Sequence, residues 1–263
     1  MINIFATYAA LGAFAGVLAG LLGVGGGLVI VPVLVWLFQE QGISQALQMH
    51  LAIGTSLATI VATSLSSIRA HHRRGAVLWP VVKQLVPGIL LGTWIGAQVV
   101  HWLPAATLHL LFGCFELLVA AQLALELSAA PHRQLPNWPG MIGAGTVIGY
   151  VSALVGIGGG VLTVPFLTWS NIPMRQAVAT SAACGFPIAL AGSLAFTFTG
   201  WSVTDLPAGS WGYVYSPALL GVAGASVLTA PLGAWLAHNL PSQLLKRFFS
   251  LFLVVLGIRM LLT

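Results

Sequence analysis

Long apolar runs alternate with short polar stretches from one end of this chain to the other. The runs fall at 4–38, 51–68, 78–100, 107–127, 140–170, 177–198, 214–237 and 244–263. Each is close to, or beyond, the ~20 residues a helix needs to cross a bilayer. The pattern predicts an all-α, polytopic membrane protein. Two runs are too long for one simple crossing. The 35 residues of 4–38 and the 31 of 140–170 would extend about 52 and 46 Å as straight helices, against a hydrocarbon core of ~30 Å.

Both long runs carry the same interruption. GLLGVGGGLVIVPVLVW (Gly20 to Trp36) and ALVGIGGGVLTVPFLTW (Ala153 to Trp169) agree at nine of 17 positions at an offset of 133. Further on, AIGTS (Ala52 to Ser56) matches AVATS (Ala177 to Ser181) at offset 125, and IGAQVVHWLP (Ile95 to Pro104) matches LGAWLAHNLP (Leu232 to Pro241) at offset 137. The chain therefore reads as two copies, residues 1–128 and 139–263, joined by the polar linker 129–138. If each long run is a helix pair broken at its glycines, every half holds that pair plus three transmembrane helices. The halves are then inverted relative to one another.

Charge arbitrates between this and a parallel repeat. The nine Lys and Arg give a net charge of +5, but they stand in short clusters between apolar runs. That is the positive-inside pattern and not a nucleic-acid patch. With unbroken runs the best orientation places six of the nine inside, whereas the broken arrangement places eight: Arg69, Arg73, Arg74, Lys83, Arg133, Arg175, Lys246 and Arg247. The expectation is an inverted repeat in the cytoplasmic (inner) membrane, with RAHHRRG (69–75) facing the cytoplasm. Composition agrees, at 58% hydrophobic and 5% charged residues, too few charges for a soluble domain of this size. Cys114 and Cys184 both lie in apolar runs and imply no disulfide framework. The N-terminus lacks a basic n-region and reads as a retained membrane segment.

The glycines are the first candidates for chemistry. Backbone that leaves the helix inside a membrane survives only when buried in protein or facing a wet cavity. A helix restarting after Gly25, Gly26 and Gly27, or after Gly158, Gly159 and Gly160, presents free N–H groups and a positive dipole end. Pro32 and Pro165 free one carbonyl each. Two such ends meeting would form an anion site near the midplane. The alternative is close helix packing, which is the plain reading for Gly12, Gly16 and Gly20 and for Gly88, Gly92 and Gly96. Thr55, Ser56, Thr180 and Ser181 recur at matched positions and could donate to an anion, or could bond a neighbouring helix instead. Glu116 in mid-membrane and His50 at a membrane edge are candidates for coupling or gating, with Glu116 alternatively neutralised by Arg259. His101 and His238 form a matched pair best read as loop caps. Trp36 and Trp169 read as interfacial anchors.

Duplicated GxGGG…VP elements at Gly23 to Pro32 and Gly156 to Pro165, each followed by a TS pair, resemble the sulfite exporter TauE/SafE family, also called toluene sulfonate uptake permeases. The resemblance covers essentially the whole chain. It implies secondary transport of small sulfur-containing anions such as sulfite, sulfonates or sulfoacetate. The first expectation is then an ion-coupled carrier of that class, thiosulfate included, working by alternating access between the two halves, with a proton as the favoured coupling ion. Residues alone give only "small anion". An anion channel and a membrane subunit of a larger complex are the alternatives. An intramembrane enzyme is disfavoured, since GxSxG, HExxH and GxxxxGK[ST] are all absent. No metal site or cofactor is expected, and the sequence leaves the oligomeric state and the direction of transport open.

Overall fold

The computed structural model describes residues 4–22, 26–125, 134–239 and 242–262. Ten helices follow one another among them: α1 (Ile4–Leu22), α2 (Gly27–Glu40), α3 (Gln45–Arg73), α4 (Trp79–Trp102), α5 (Ala105–Ala124), α6 (Trp138–Val155), α7 (Gly160–Trp169), α8 (Met174–Gly200), α9 (Ser216–Asn239) and α10 (Ser242–Leu262). Both over-long runs are broken, 4–38 into α1 and α2 and 140–170 into α6 and α7. With 14 and 10 residues, α2 and α7 reach only about 21 and 15 Å, well short of a bilayer core. Five helices, α3, α4, α5, α6 and α8, are long and apolar enough to cross a membrane among the described residues. Leu118, Leu220 and Leu228 are 69–78% exposed, a surface that suits lipid and not water. The protein is an all-α, multi-pass membrane protein.

Two departures from the sequence pattern stand out. Helix α3 begins at Gln45, six residues before its apolar run, so Thr55 and Ser56 lie in its third turn and not at its start. Between α8 and α9 a two-residue antiparallel hairpin forms, β1 (Ser210–Trp211) against β2 (Val214–Tyr215). A connection of this kind leaves no periodic signal.

Helix pairing follows the glycine faces. Helix α1 packs along α9 and α4 along α6, while α3 crosses α8 and α5 lies against α10. Gly12 presses on the backbone of Val222 and Gly16 on that of Ser226. Gly88, Gly92 and Gly96 meet the backbone of Ile142, Thr146 and Tyr150, and Gly145 and Gly149 return the contact onto Leu85 and Ile89. Missing side chains let the backbones approach where lipid supplies no hydrophobic drive. The surroundings of Gly20 lie outside the described residues.

This packing separates two otherwise similar substitutions. Gly92→Ala pushes a methyl into Thr146 O, whereas Gly143→Ala, one face away on α6, meets nothing within 4 Å. Gly92→Ala should cost about 1–3 kcal/mol by overpacking, and Gly143→Ala should be neutral or stabilising by up to about 1 kcal/mol. Reversible unfolding in mixed micelles reads both.

Candidate functional site

At the first break, Gly26 holds φ at 72° as the residue before α2, and at the second Gly159 holds 75° before α7. A side chain at that left-handed φ costs roughly 1–2 kcal/mol, which is why glycine stands there. The two helix starts match bond for bond. Val29 and Ile30 N–H donate to Gly26 O, as Leu162 and Thr163 N–H donate to Gly159 O. The N–H groups ahead of these, on Gly27 and Leu28 and on Gly160 and Val161, stand where a helix has no acceptor of its own. Pro32 and Pro165, inside α2 and α7, have no N–H to give to Leu28 O and Val161 O. Gly25 lies outside the described residues.

The breaks touch. A methyl on Gly27 would stand 2.6 Å from Gly156 O and 3.0 Å from Ile157 Cα. Ser56 Oγ–H donates to Gly156 O at 2.8 Å, carrying the first half onto the second break. Gly26 to Leu28 and Gly156 to Gly160 are all buried. Aliphatic side chains cover the second break: Ile60 lies 3.1 Å from a methyl on Gly158, and the δ-methyl of Ile188 lies directly over Gly159. No charged residue occurs in 20–36 or 153–169, so within these runs the positive end comes from the peptide dipoles of the helix starts.

The two members of each TS pair do different work. Thr55 Oγ1 accepts the Tyr215 N–H at 3.0 Å and Thr180 Oγ1 accepts the Leu78 N–H at 3.1 Å. Leu78 and Tyr215 are 137 residues apart and immediately precede α4 and α9. The threonines therefore cap the entries to those helices and face away from the breaks. The serines face inward: Ser56 as above, and Ser181 one turn before Gly185, where a methyl would sit 2.9 Å from Gly158 O. Ser181 Oγ is buried without a hydrogen-bond partner.

Three further hydroxyls escaped the sequence reading. Ser152, Thr163 and Thr93 are each fully buried with no hydrogen-bond partner for the side-chain oxygen. Ser152 Oγ and Thr163 Oγ1 each lie 3.5 Å from where a methyl on Gly159 would be. Searching for duplicated positions could not find them, because Ala19 and Ile30 stand at the corresponding first-half positions.

Ionisable groups sit apart from the breaks. Glu116 on α5 is fully buried and neither carboxyl oxygen has a hydrogen-bond partner. Arg259 does not neutralise it; its guanidinium lies 4.9 Å over the Trp36 ring. His109, missed in the sequence, is buried two turns earlier on α5. His50 is buried and not at an exposed edge, with its ring nitrogens 3.1 Å from Ala46 O and 3.0 Å from Val100 O. A neutral imidazole has one N–H for two such acceptors and an imidazolium has two. His101 Nδ1 bonds the Tyr213 hydroxyl at 3.1 Å, and Tyr213 also stacks 5.0 Å from His50. Burial holds the Tyr213 phenol above its ordinary pKa, so it keeps its proton and can donate to His101. His101 is thus a tether for the hairpin, and the side chain of His238 lies outside the described residues. Cys114 and Cys184 are free, and no cluster of three metal-ligating side chains occurs among the described residues.

Comparison with known proteins adds the following. A sequence model of the family described as Sulfite exporter TauE/SafE matches residues 8–260. A probable membrane transporter protein of Haemophilus influenzae is 40% identical over 253 residues, covering 95% of this chain and 96% of its own length. One from Methanocaldococcus jannaschii is 28% identical, over 95% and 93% of the two chains. Another from Bacillus subtilis is 28% identical, over 98% and 97%. No solved structure matches.

The Ser56 bond gives a test of the junction. Ser56→Ala leaves Gly156 O buried and unpaired and should cost about 1–3 kcal/mol. Thr63→Ala removes only bonds to its own preceding turn, at 3.3–3.5 Å, and should change stability by less than about 0.5 kcal/mol. Parallel thermal melts of the purified variants compare the two.

Proposed function

The chain belongs to the sulfite exporter TauE/SafE family of membrane transporters, and from that premise we propose that it is a secondary carrier of small sulfur-containing anions. The substrate binds at the paired breaks and passes by alternating access. One observation carries this reading: two helix N-termini, each opened by a left-handed glycine, belong to breaks that touch inside the protein, Gly27 of the first lying against Gly156 and Ile157 of the second. Such ends favour a negative charge. The reading places the two copies in inverted orientation with 69–75 in the cytoplasm. It is supported by charge placement, by α1 packing on α9 as α6 packs on α4, and by the matched threonine caps. The reading takes the aliphatic cover of the second break, Ile60 over Gly158 and Ile188 over Gly159, as the occluded state of that cycle. Glu116, buried and unpaired, is the coupling-proton site, since an intramembrane carboxyl is kept for a reason.

Purified protein should be thermally stabilised by one or more of sulfite, thiosulfate and sulfonates, and not by chloride, because a ligand of the folded state shifts stability by mass action. Gly26→Val and Gly159→Val should abolish the shift. If both keep it, the breaks are packing features. In proteoliposomes, labelled substrate should show counterflow, which a passive pore cannot give. Glu116→Gln should keep counterflow but lose accumulation driven by a pH gradient; unchanged accumulation removes Glu116 from the coupling.

A further inference from the structure

The two breaks share a backbone plan, but among the described residues unpartnered hydroxyls gather at the second. At the second, Ser152 Oγ from α6 and Thr163 Oγ1 from α7 flank the position in front of Gly159 at 3.5 Å each, fully buried and without a partner. The corresponding first-half residues are Ala19 and Ile30, which have nothing to donate. A buried hydroxyl without a hydrogen bond is costly, and two flanking one helix N-terminus mark a place that an acceptor would satisfy once the Ile188 methyl over Gly159 turns aside.

We propose that the anion binds asymmetrically at the second break alone, where Ser152, Thr163 and the leading N–H groups of α7 donate to the oxygens of a singly charged oxoanion of the sulfonate or hydrogensulfite type. This rests on the transport reading above and narrows it. Three separate donor directions suit a pyramidal or tetrahedral group with three oxygens, each oxygen taking its own donor. The charge follows from what is missing: with no Lys or Arg in either break, the dipole's roughly half-unit of positive charge balances one negative charge far better than two. The first break then serves as the wall against which the second is set, through Gly27 on Gly156 O and Ser56 on the same carbonyl. Ile188, whose δ-methyl covers Gly159, is the side chain that must turn aside when the anion enters.

The test is isothermal titration of the purified full chain with methanesulfonate, which stays a monoanion at all working pH values, and with sulfate as the divalent comparison. Ser152→Ala and Thr163→Val should each weaken methanesulfonate binding about tenfold or more, as expected for a lost hydrogen bond to a charged acceptor. The first-half variant Ile30→Val should leave it unchanged, and sulfate should bind more weakly than methanesulfonate. Because neither hydroxyl has a partner to lose, the ligand-free melting temperatures of Ser152→Ala and Thr163→Val should stay level or rise. A drop in either would show a structural bond and overturn the assignment. Wild-type affinity in both hydroxyl variants, or equal losses at Ile30, sinks the asymmetric site while leaving anion transport standing. Sulfate binding as tightly as methanesulfonate overturns the charge class. If the wild type responds to no oxoanion at all, the transport reading falls and this inference with it.

Discussion

A peptide group inside a membrane has no water to bond, so every departure from the helix must be answered by protein. Two such departures sit at the heart of this molecule, and much of the surrounding arrangement answers them. At the second, Ser56 reaches across from α3 to satisfy Gly156 O, Gly159 O takes the first two bonds of α7, and the α3–α8 crossing encloses the remainder. The leading N–H groups of α2 and α7 stand where a helix has no acceptor of its own, and a donor left unpaired in this setting would be costly.

Much of this was legible in the chain, for physical reasons. A run of 35 apolar residues is too long for a bilayer, and adjacent glycines cannot all share one packing face, so the breaks had to fall where they do. Small residues four apart on α1 and α4 announced close pairings, and Gly12, Gly16, Gly88 and Gly92 meet partner backbones. The partners themselves, α9 and α6, were invisible, because a glycine face specifies closeness and not identity.

Other features had no signal to read. Thr55 and Thr180 were found as a duplicated pair, but their bonds run to Tyr215 and Leu78, more than 100 residues away. Duplication marked them as shared without saying for what. The hydroxyls of Ser152 and Thr163 were missed for the opposite reason: comparing copies finds what the halves have in common, and these stand where the halves differ. The hairpin and its Tyr213–His101 bond belong to the same class, a local insertion whose role depends on a side chain from another helix.

The glycine-lined pairings also decide where the molecule can yield. Along α1–α9 and α4–α6 most of the touching atoms at the glycines are peptide carbonyls and α-carbons, joined by short side chains such as Thr229, Ala153 and Thr93, which leave little freedom to rearrange. Each pair is in effect a welded beam. The α3–α8 and α5–α10 seams are furnished instead with side chains such as Leu57, Leu117 and Leu261 resting on glycines, and branched side chains can slide and resettle. Relative motion of the helix pairs would meet least resistance along the side-chain-packed α3–α8 seam, where Gly158 of the second break lies against Ile60 and faces Gly185.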